Sequence, residues 1–158
     1  MLYTQLFRNN LGNLWWQMVI ERDIYYSIIN SASPTPPESG GILGGKDGII
    51  IESLQDNGMP SYRMCSYYPN VRLLNQAIKG WQSREIDFMG IYHIHYWSVS
   101  TLSEGDKLYI SKIMDNMPKE MEKLHFPILV MPEKEIACYV ARRISGKLVI
   151  EKDSIVLM

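Results

Sequence analysis

Three histidines occur in the 158 residues, and two of them, His93 and His95, are two positions apart. They lie in the apolar run Phe88 to Tyr96 (FMGIYHIHY), which reads as a buried strand. On a strand, residues two apart face the same side, roughly 6.5–7 Å apart along the chain. Two imidazoles so placed can converge on one metal ion. Ser103 and Asp106 follow, giving His-x-His-x7-Ser-x-x-Asp. The intervening residues allow the chain to turn and bring a helix start beside the strand end, where Asp106 could be a third ligand. Two histidines and one carboxylate leave a tetrahedral zinc with an open position for water, the catalytic rather than the closed arrangement. Plainer readings stand beside this one. A histidine pair on an apolar strand can be a hydrogen-bonded core pair, and Ser-x-x-Asp at a helix start resembles a capping box. The cap and the ligand readings of this segment are compatible.

A hydrolytic metal site also needs a base. Glu38 opens the segment Glu-Ser-Gly-Gly-Ile-Leu-Gly-Gly (38–45), directly after the stiff stretch SPTPP (33–37). A carboxylate there is held rather than freely solvated, and the glycines permit close backbone packing. Without the histidine motif, Glu38 would read as a plain surface residue at a strand edge. Gly40 to Lys46 satisfies Gly-x4-Gly-Lys, but Asp47 stands where a phosphate loop has Ser or Thr, and Gly48 with three isoleucines follows where that loop needs a helix. A nucleotide loop is therefore rejected. Cys65 and Cys138 have no obvious catalytic partner and read as packed thiols. His125, near Pro127, reads as a surface imidazole. Trp15, Trp16, Trp81 and Trp97 read as core or rim, with Trp97 placed to touch substrate in the loop after the histidine pair.

The elements that must position these residues follow from periodicity. Leu14 to Ile20 (LWWQMVI) reads as a strand and Glu21 to Asn30 as a helix with Ile24 and Ile28 on one stripe. Prolines end that helix before Glu38. Gly48 to Leu54 is a strand by its β-branched content, and Gln55 to Asn70 is loop-like. Val71, Leu74, Ile78 and Trp81 mark an amphipathic helix over Val71 to Ser83. Ser103 to Met117 is a second clear helix, stopped before Pro118. Pro127 to Met131, Ile136 to Ile144 and Lys147 to Glu151 are strands, the last two joined at Ser145-Gly146 as a hairpin. The sum is a mixed α/β fold of the α+β type, with a mostly antiparallel sheet flanked by helices.

Composition bounds the function. Hydrophobic residues make up 46% and charged residues 21%, with a formal net charge of −1. That balance is globular and carries no basic field for nucleic acid. The N-terminal segment, interrupted by Asn9, Asn10 and Asn13, does not read as a signal peptide. No apolar run approaches the ~20 residues of a membrane helix. Two distant cysteines suggest a reducing, cytoplasmic setting.

Taken together, Glu38-x-x-Gly41-x-Leu43-x-Gly45 and Gly90-x-x-His93-x-His95-x7-Ser103-x-x-Asp106 resemble the JAB/MPN (JAMM) metalloprotease family, in element order over roughly residues 14 to 145. The resemblance implies a single JAB/MPN domain over residues 1–158, of cytidine-deaminase-like architecture. It implies one Zn2+ with a catalytic water, held by His93, His95 and Asp106. It further implies Glu38 as general acid/base and Ser103 as the group steadying the tetrahedral intermediate. Catalytic members cleave isopeptide or peptide bonds after the C-terminal glycine of ubiquitin or a ubiquitin-like protein, so such a protein or its conjugate is the implied partner. The length resembles the compact bacterial members, some of which are encoded beside ubiquitin-like activating and conjugating enzymes, including in antiphage defence. A zinc peptidase or amidase acting on a sulfur-carrier fusion or a small peptide is one alternative, and a non-catalytic MPN scaffold is another. Two departures stand out. Tyr96 and Leu102 occupy positions where the family often has proline, which predicts a less stiff, more aromatic loop from Tyr96 to Leu102.

Overall fold

The centre of the molecule is a glycine-rich hairpin. Gly40–Lys46 forms strand β2 and Ile49–Asp56 forms β3. They join at Asp47 and Gly48, whose φ values of 52° and 80° make the two-residue turn that matches strand twist. The Gly-x4-Gly-Lys pattern is thus strand and hairpin, with neither the loop nor the helix a phosphate site requires. The structure, a computed structural model, describes residues 17–59 and 67–158. Trp15, Trp16 and Cys65 fall outside these residues, as does the start of the first expected strand.

The remaining elements are β1 (Met18–Ile20), α1 (Arg22–Ser31), α2 (Val71–Gln82), β4 (Asp87–His95), α3 (Glu104–Asn116), β5 (Lys123–His125), β6 (Ile128–Val130), β7 (Glu135–Ile144), β8 (Lys147–Asp153) and β9 (Ile155–Leu157). Sequence periodicity located the helices to within two residues and most of the strands. It did not mark β2, β5 or β9 as strands. β2 has four glycines in seven residues and so little β propensity; β5 and β9 are three residues each.

The nine strands among the described residues form one mostly antiparallel sheet. β5 and β6 both lie between β4 and β7, so they are one strand interrupted at Phe126 and Pro127. The order is then β8, β7, β5/β6, β4, β2, β3, β1, β9. Its two outer strands, β8 and β9, are consecutive in the chain and separated only by Ser154. The backbone N–H of Met18 donates to the Ser154 carbonyl at 2.9 Å, so one bent segment joins both sides of the sheet.

Side-chain alternation divides the core in two. Leu43, Ile50, Tyr92, Ile94, Leu129 and Cys138 pack with Ile28 and Ile29 of α1. Ile42, Ile91, Leu124 and Ala141 pack on the opposite face with Leu74 and Trp81 of α2 and Ile110 and Met114 of α3. Cys138 is a packed thiol, as expected. His125 is not the expected surface imidazole; it is 2% exposed, because β5 is covered by strands on both sides. No helix among the described residues is long and apolar enough to cross a membrane.

Gly90 has a steric reason. A Cβ added there would lie 2.0 Å from the His125 carbonyl oxygen, where β4 and β5 run side by side. The obstacle is backbone, which cannot rotate away. Gly90→Ala is therefore expected to lower unfolding stability by about 1–3 kcal/mol, read as a lower urea midpoint.

Candidate metal centre

Residues 91, 93 and 95 of β4 face the α2/α3 side, because Ile91 belongs to that core while Tyr92 and Ile94 pack on the other. His93 pairs with Gly40 of β2 and Ile128 of β6, and His95 with Val130. β4 is therefore held from both sides where the histidines emerge. Their Nε2 atoms approach to 2.8 Å, with ring planes at 72°. Asp106 meets them from α3: its Oδ1 is 3.3 Å from His93 Nε2 and its Oδ2 is 3.3 Å from His95 Nε2.

The same carboxylate caps its own helix. Asp106 Oδ2 accepts the Ser103 backbone N–H at 2.7 Å, and Ser103 Oγ accepts the Asp106 backbone N–H at 3.0 Å. This is a complete capping box, so the plain reading of Ser-x-x-Asp holds, and the same carboxylate also faces the two imidazoles. Capping fixes the Asp106 rotamer and aims both oxygens at the imidazoles. Ser103 Oγ is engaged as an acceptor, which leaves its hydrogen to donate.

The residues fit a zinc ion on their donor chemistry. His95 Nδ1 lies 3.2 Å from the Val99 carbonyl. A carbonyl only accepts, so Nδ1 carries a hydrogen, and Nε2, which faces His93 and Asp106, is the atom that would give up its proton and offer a lone pair to a metal. Ligands about 2.0–2.1 Å from a tetrahedral zinc lie roughly 3.3–3.4 Å from one another. The two carboxylate–imidazole separations, one to each oxygen, fall at that spacing, whereas the 2.8 Å between the imidazole nitrogens is shorter and would widen around an ion.

The loop from Tyr96 to Leu102 is tied down without prolines, unlike the looser loop its sequence predicts. Trp97 and Ser98 adopt left-handed φ values of 56° and 60°, and the Val99 N–H donates back to the Tyr96 carbonyl at 3.3 Å. The Ser98 N–H donates to Met131 O at 2.9 Å, and its hydroxyl donates to Glu133. Tyr96 Oη donates to Ser33 O at 3.0 Å, and Tyr139 Oη to Ser100 O at 2.9 Å. These contacts hold Val99 O against His95 and leave Trp97 67% exposed beside the site.

Glu38 reaches the site through strand pairing. The Ile94 N–H donates to the Ser39 carbonyl at 2.9 Å, extending the β2–β4 ladder one step beyond Gly40 and setting Glu38 alongside His95. Burial, then the charge of Asp106, raise the Glu38 carboxyl to about 7, against the lowering pull of His95 and of a hydrogen bond from the Tyr67 backbone. Tyr67 is in turn anchored. Its hydroxyl donates to the buried Asp56 carboxylate at 2.8 Å, which also accepts the N–H groups of Asn70 and Gly58. Its ring packs where a Cβ on Gly40 would come within 2.8 Å. This support from Asp56 and Tyr67 is absent from the sequence reading; no motif or spacing marks it.

The neighbouring charges separate the two imidazoles. Burial lowers His93, and Asp106 offsets this only in part. Burial also opposes charge on His95, but Asp106, Glu38 and the Val99 carbonyl outweigh it, and its pKa is raised. For Asp106, burial is outweighed by the hydrogen bonds of His93 and His95 and by the Ser103 N–H, which hold it well below the usual carboxylate range.

Neither a protein-family model nor a curated protein matches the sequence. Solved structures do. A protein from Desulfitobacterium hafniense, solved in solution, superposes with a TM-score of 0.62 at 17% identity, over 89% of this chain and 92% of that one. The crystal structure of a JAB1/MPN domain protein from Archaeoglobus fulgidus superposes with a TM-score of 0.50 at 20% identity, over 88% of this chain and 99% of that one. The chain has a JAB1/MPN-like fold. Within that MPN-like fold, the structure brings His93, His95 and Asp106 together and sets Glu38 beside them, with Ser103 at the cap of α3.

Glu38 carries a testable stability signature. A carboxyl raised in the folded state is neutral with Gln below its unfolded pKa and penalised once pH exceeds its folded pKa. In the presence of a chelator, Glu38→Gln is expected to leave Tm unchanged at pH 4 and to raise it at pH 8. Equal Tm values at pH 8, by scanning calorimetry, would place Glu38 in solvent.

Proposed function

We propose that this protein is a zinc-dependent isopeptidase or peptidase that cleaves after the C-terminal glycine of a ubiquitin-like protein. The observation that carries the reading is the convergence of His93, His95 and Asp106 on one point, with Glu38 alongside. The resemblance of the motif to the JAMM proteases supplies the substrate class. A cytoplasmic setting, beside ubiquitin-like activating and conjugating enzymes and in antiphage defence, belongs to the same reading.

His93, His95 and Asp106 would hold the metal. When bound there, zinc lowers the pKa of water from 15.7 to about 7 and polarises a carbonyl oxygen. Glu38 takes the proton of the attacking water and returns it to the leaving amine, a role suited to a carboxyl poised at about 7. The Ser103 hydroxyl donates to the scissile carbonyl oxygen as negative charge develops there. β4 is flanked by β2 and β6, so an extended glycine tail pairs with the Tyr96–Leu102 loop rather than with β4. The exposed Trp97 and Val99 offer apolar surface to the body of the substrate.

Incubation with ubiquitin-like and sulfur-carrier fusions, with and without chelator, tests the proposal. Cleavage is expected to require zinc. Glu38→Gln should retain zinc and lose about 10²–10⁴-fold in rate, and Ser103→Ala about 10²–10³-fold. His93→Ala or Asp106→Ala should lose the metal of this centre and cleavage with it. A wild-type chain that takes up no more zinc than its His93→Ala/His95→Ala variant and cleaves nothing would favour the scaffold reading instead.

A further inference from the structure

A second cluster of ligating side chains lies on the other face of the sheet, at the seam where β8 bends into β9. His125, Cys138 and Asp153 each place one donor atom within 4.8 Å of the others. They come from β5, β7 and β8. Cys138 is directly opposite Asp153, and His125 is opposite Val140, which shares a face with Cys138. A fourth donor adjoins them, since Met18 Sδ lies 3.5 Å from Cys138 Sγ. His125 and Cys138 are each 2% exposed, and the Asp153 side chain 4%. The trio cannot serve as a nucleophile, base and orienting acid, because no substrate reaches it.

Two of these atoms are unexplained by the protein itself. His125 Nδ1 and Asp153 Oδ2 are buried without a hydrogen-bond partner among the described residues; they face each other at 3.7 Å, too far for a hydrogen bond. Buried polar atoms are almost always satisfied. We propose that His125, Cys138 and Asp153, with Met18 beside them, form a second, structural metal site that takes a zinc-class divalent cation and locks the seam between β7, β8 and β1. A thiolate, an imidazole and a carboxylate are all zinc donors.

Charge supports the assignment. One thiolate and one carboxylate neutralise a divalent cation, so the ion with these ligands adds no net charge beside Lys123 and Arg142, whose charges act on His125 and Asp153. Burial, followed by the charges of Lys123 and Arg142, lowers His125 to about 3, which keeps it neutral with a lone pair. Burial raises the Cys138 thiol, so binding there expels its proton; burial also raises the Asp153 carboxyl, against the pull of the Ser154 N–H, Arg142 and Lys123. Because the site is closed, the metal enters as the chain folds.

The inference is independent of the proposed activity, and sulfur gives it a separate readout. The His93/His95/Asp106 centre has no thiolate, so a thiolate-to-cobalt charge-transfer band in the near ultraviolet reports the second site alone. Full-length protein produced with cobalt in the medium is expected to show the band in the wild type, in Cys65→Ser and in the His93→Ala/His95→Ala double variant. That double variant should hold one metal ion per chain. Cys138→Ser should lose the band, and Asp153→Asn should weaken cobalt affinity at least tenfold with an unchanged far-ultraviolet spectrum. Absence of the band in the wild type, its loss in Cys65→Ser, its survival in Cys138→Ser, or full affinity in Asp153→Asn would each overturn the assignment. If Cys138→Ser does not fold, the wild-type and Asp153→Asn results decide.

Discussion

The carboxylate of Asp106 joins the two halves of the candidate site. One of its oxygens closes the capping box of α3, and both face the imidazoles of β4. A helix and a strand are thereby registered on a single side chain. The helix terminus supplies unsatisfied N–H groups that need an anion, and the buried imidazoles need a counter-charge. One residue answers both demands, so the cap and the approach to the imidazoles are one arrangement rather than competing ones.

Glu38 depends on a different kind of support. It precedes β2, follows the prolines that end α1, and is set by one more rung of the β2–β4 ladder. Behind it, Asp56 holds the Tyr67–Asn70 segment, and the side-chain-free edge of Gly40 admits the Tyr67 ring. The environment raises Glu38 while it lowers Asp106. Two carboxyls near one histidine pair thus differ in their hold on a proton, the kind of difference found between the carboxyls of acid–base sites.

The sheet separates two chemistries. The face under α2 and α3 presents His93 and His95 to a partly open surface. The face under α1 buries Cys138 and His125 near the β8–β9 seam. Joining the outer strands through Ser154 places Met18, Cys138 and Asp153 together, although 120 residues separate Met18 from Cys138. The strand pairing that encloses this cluster also excludes substrate from it.

The sequence by itself determined the parts whose information is local. The period of two in β4 set His93 and His95 on one face, the Ser103–Asp106 spacing specified a cap, and the apolar stripe of α2 named its buried side. Proline positions bounded α1. Tertiary structure decided whatever depended on pairing between distant segments. β2 became a strand because its glycines fit between β3 and β4, against their intrinsic preference. His125 was buried because β4 and β7 enclosed it, and Asp153 met Cys138 only through the β7–β8 register. Local sequence carries periodicity and chain stiffness, whereas burial and long-range register are properties of the assembled sheet, and these set the charge state of Glu38 and the surroundings of the second cluster.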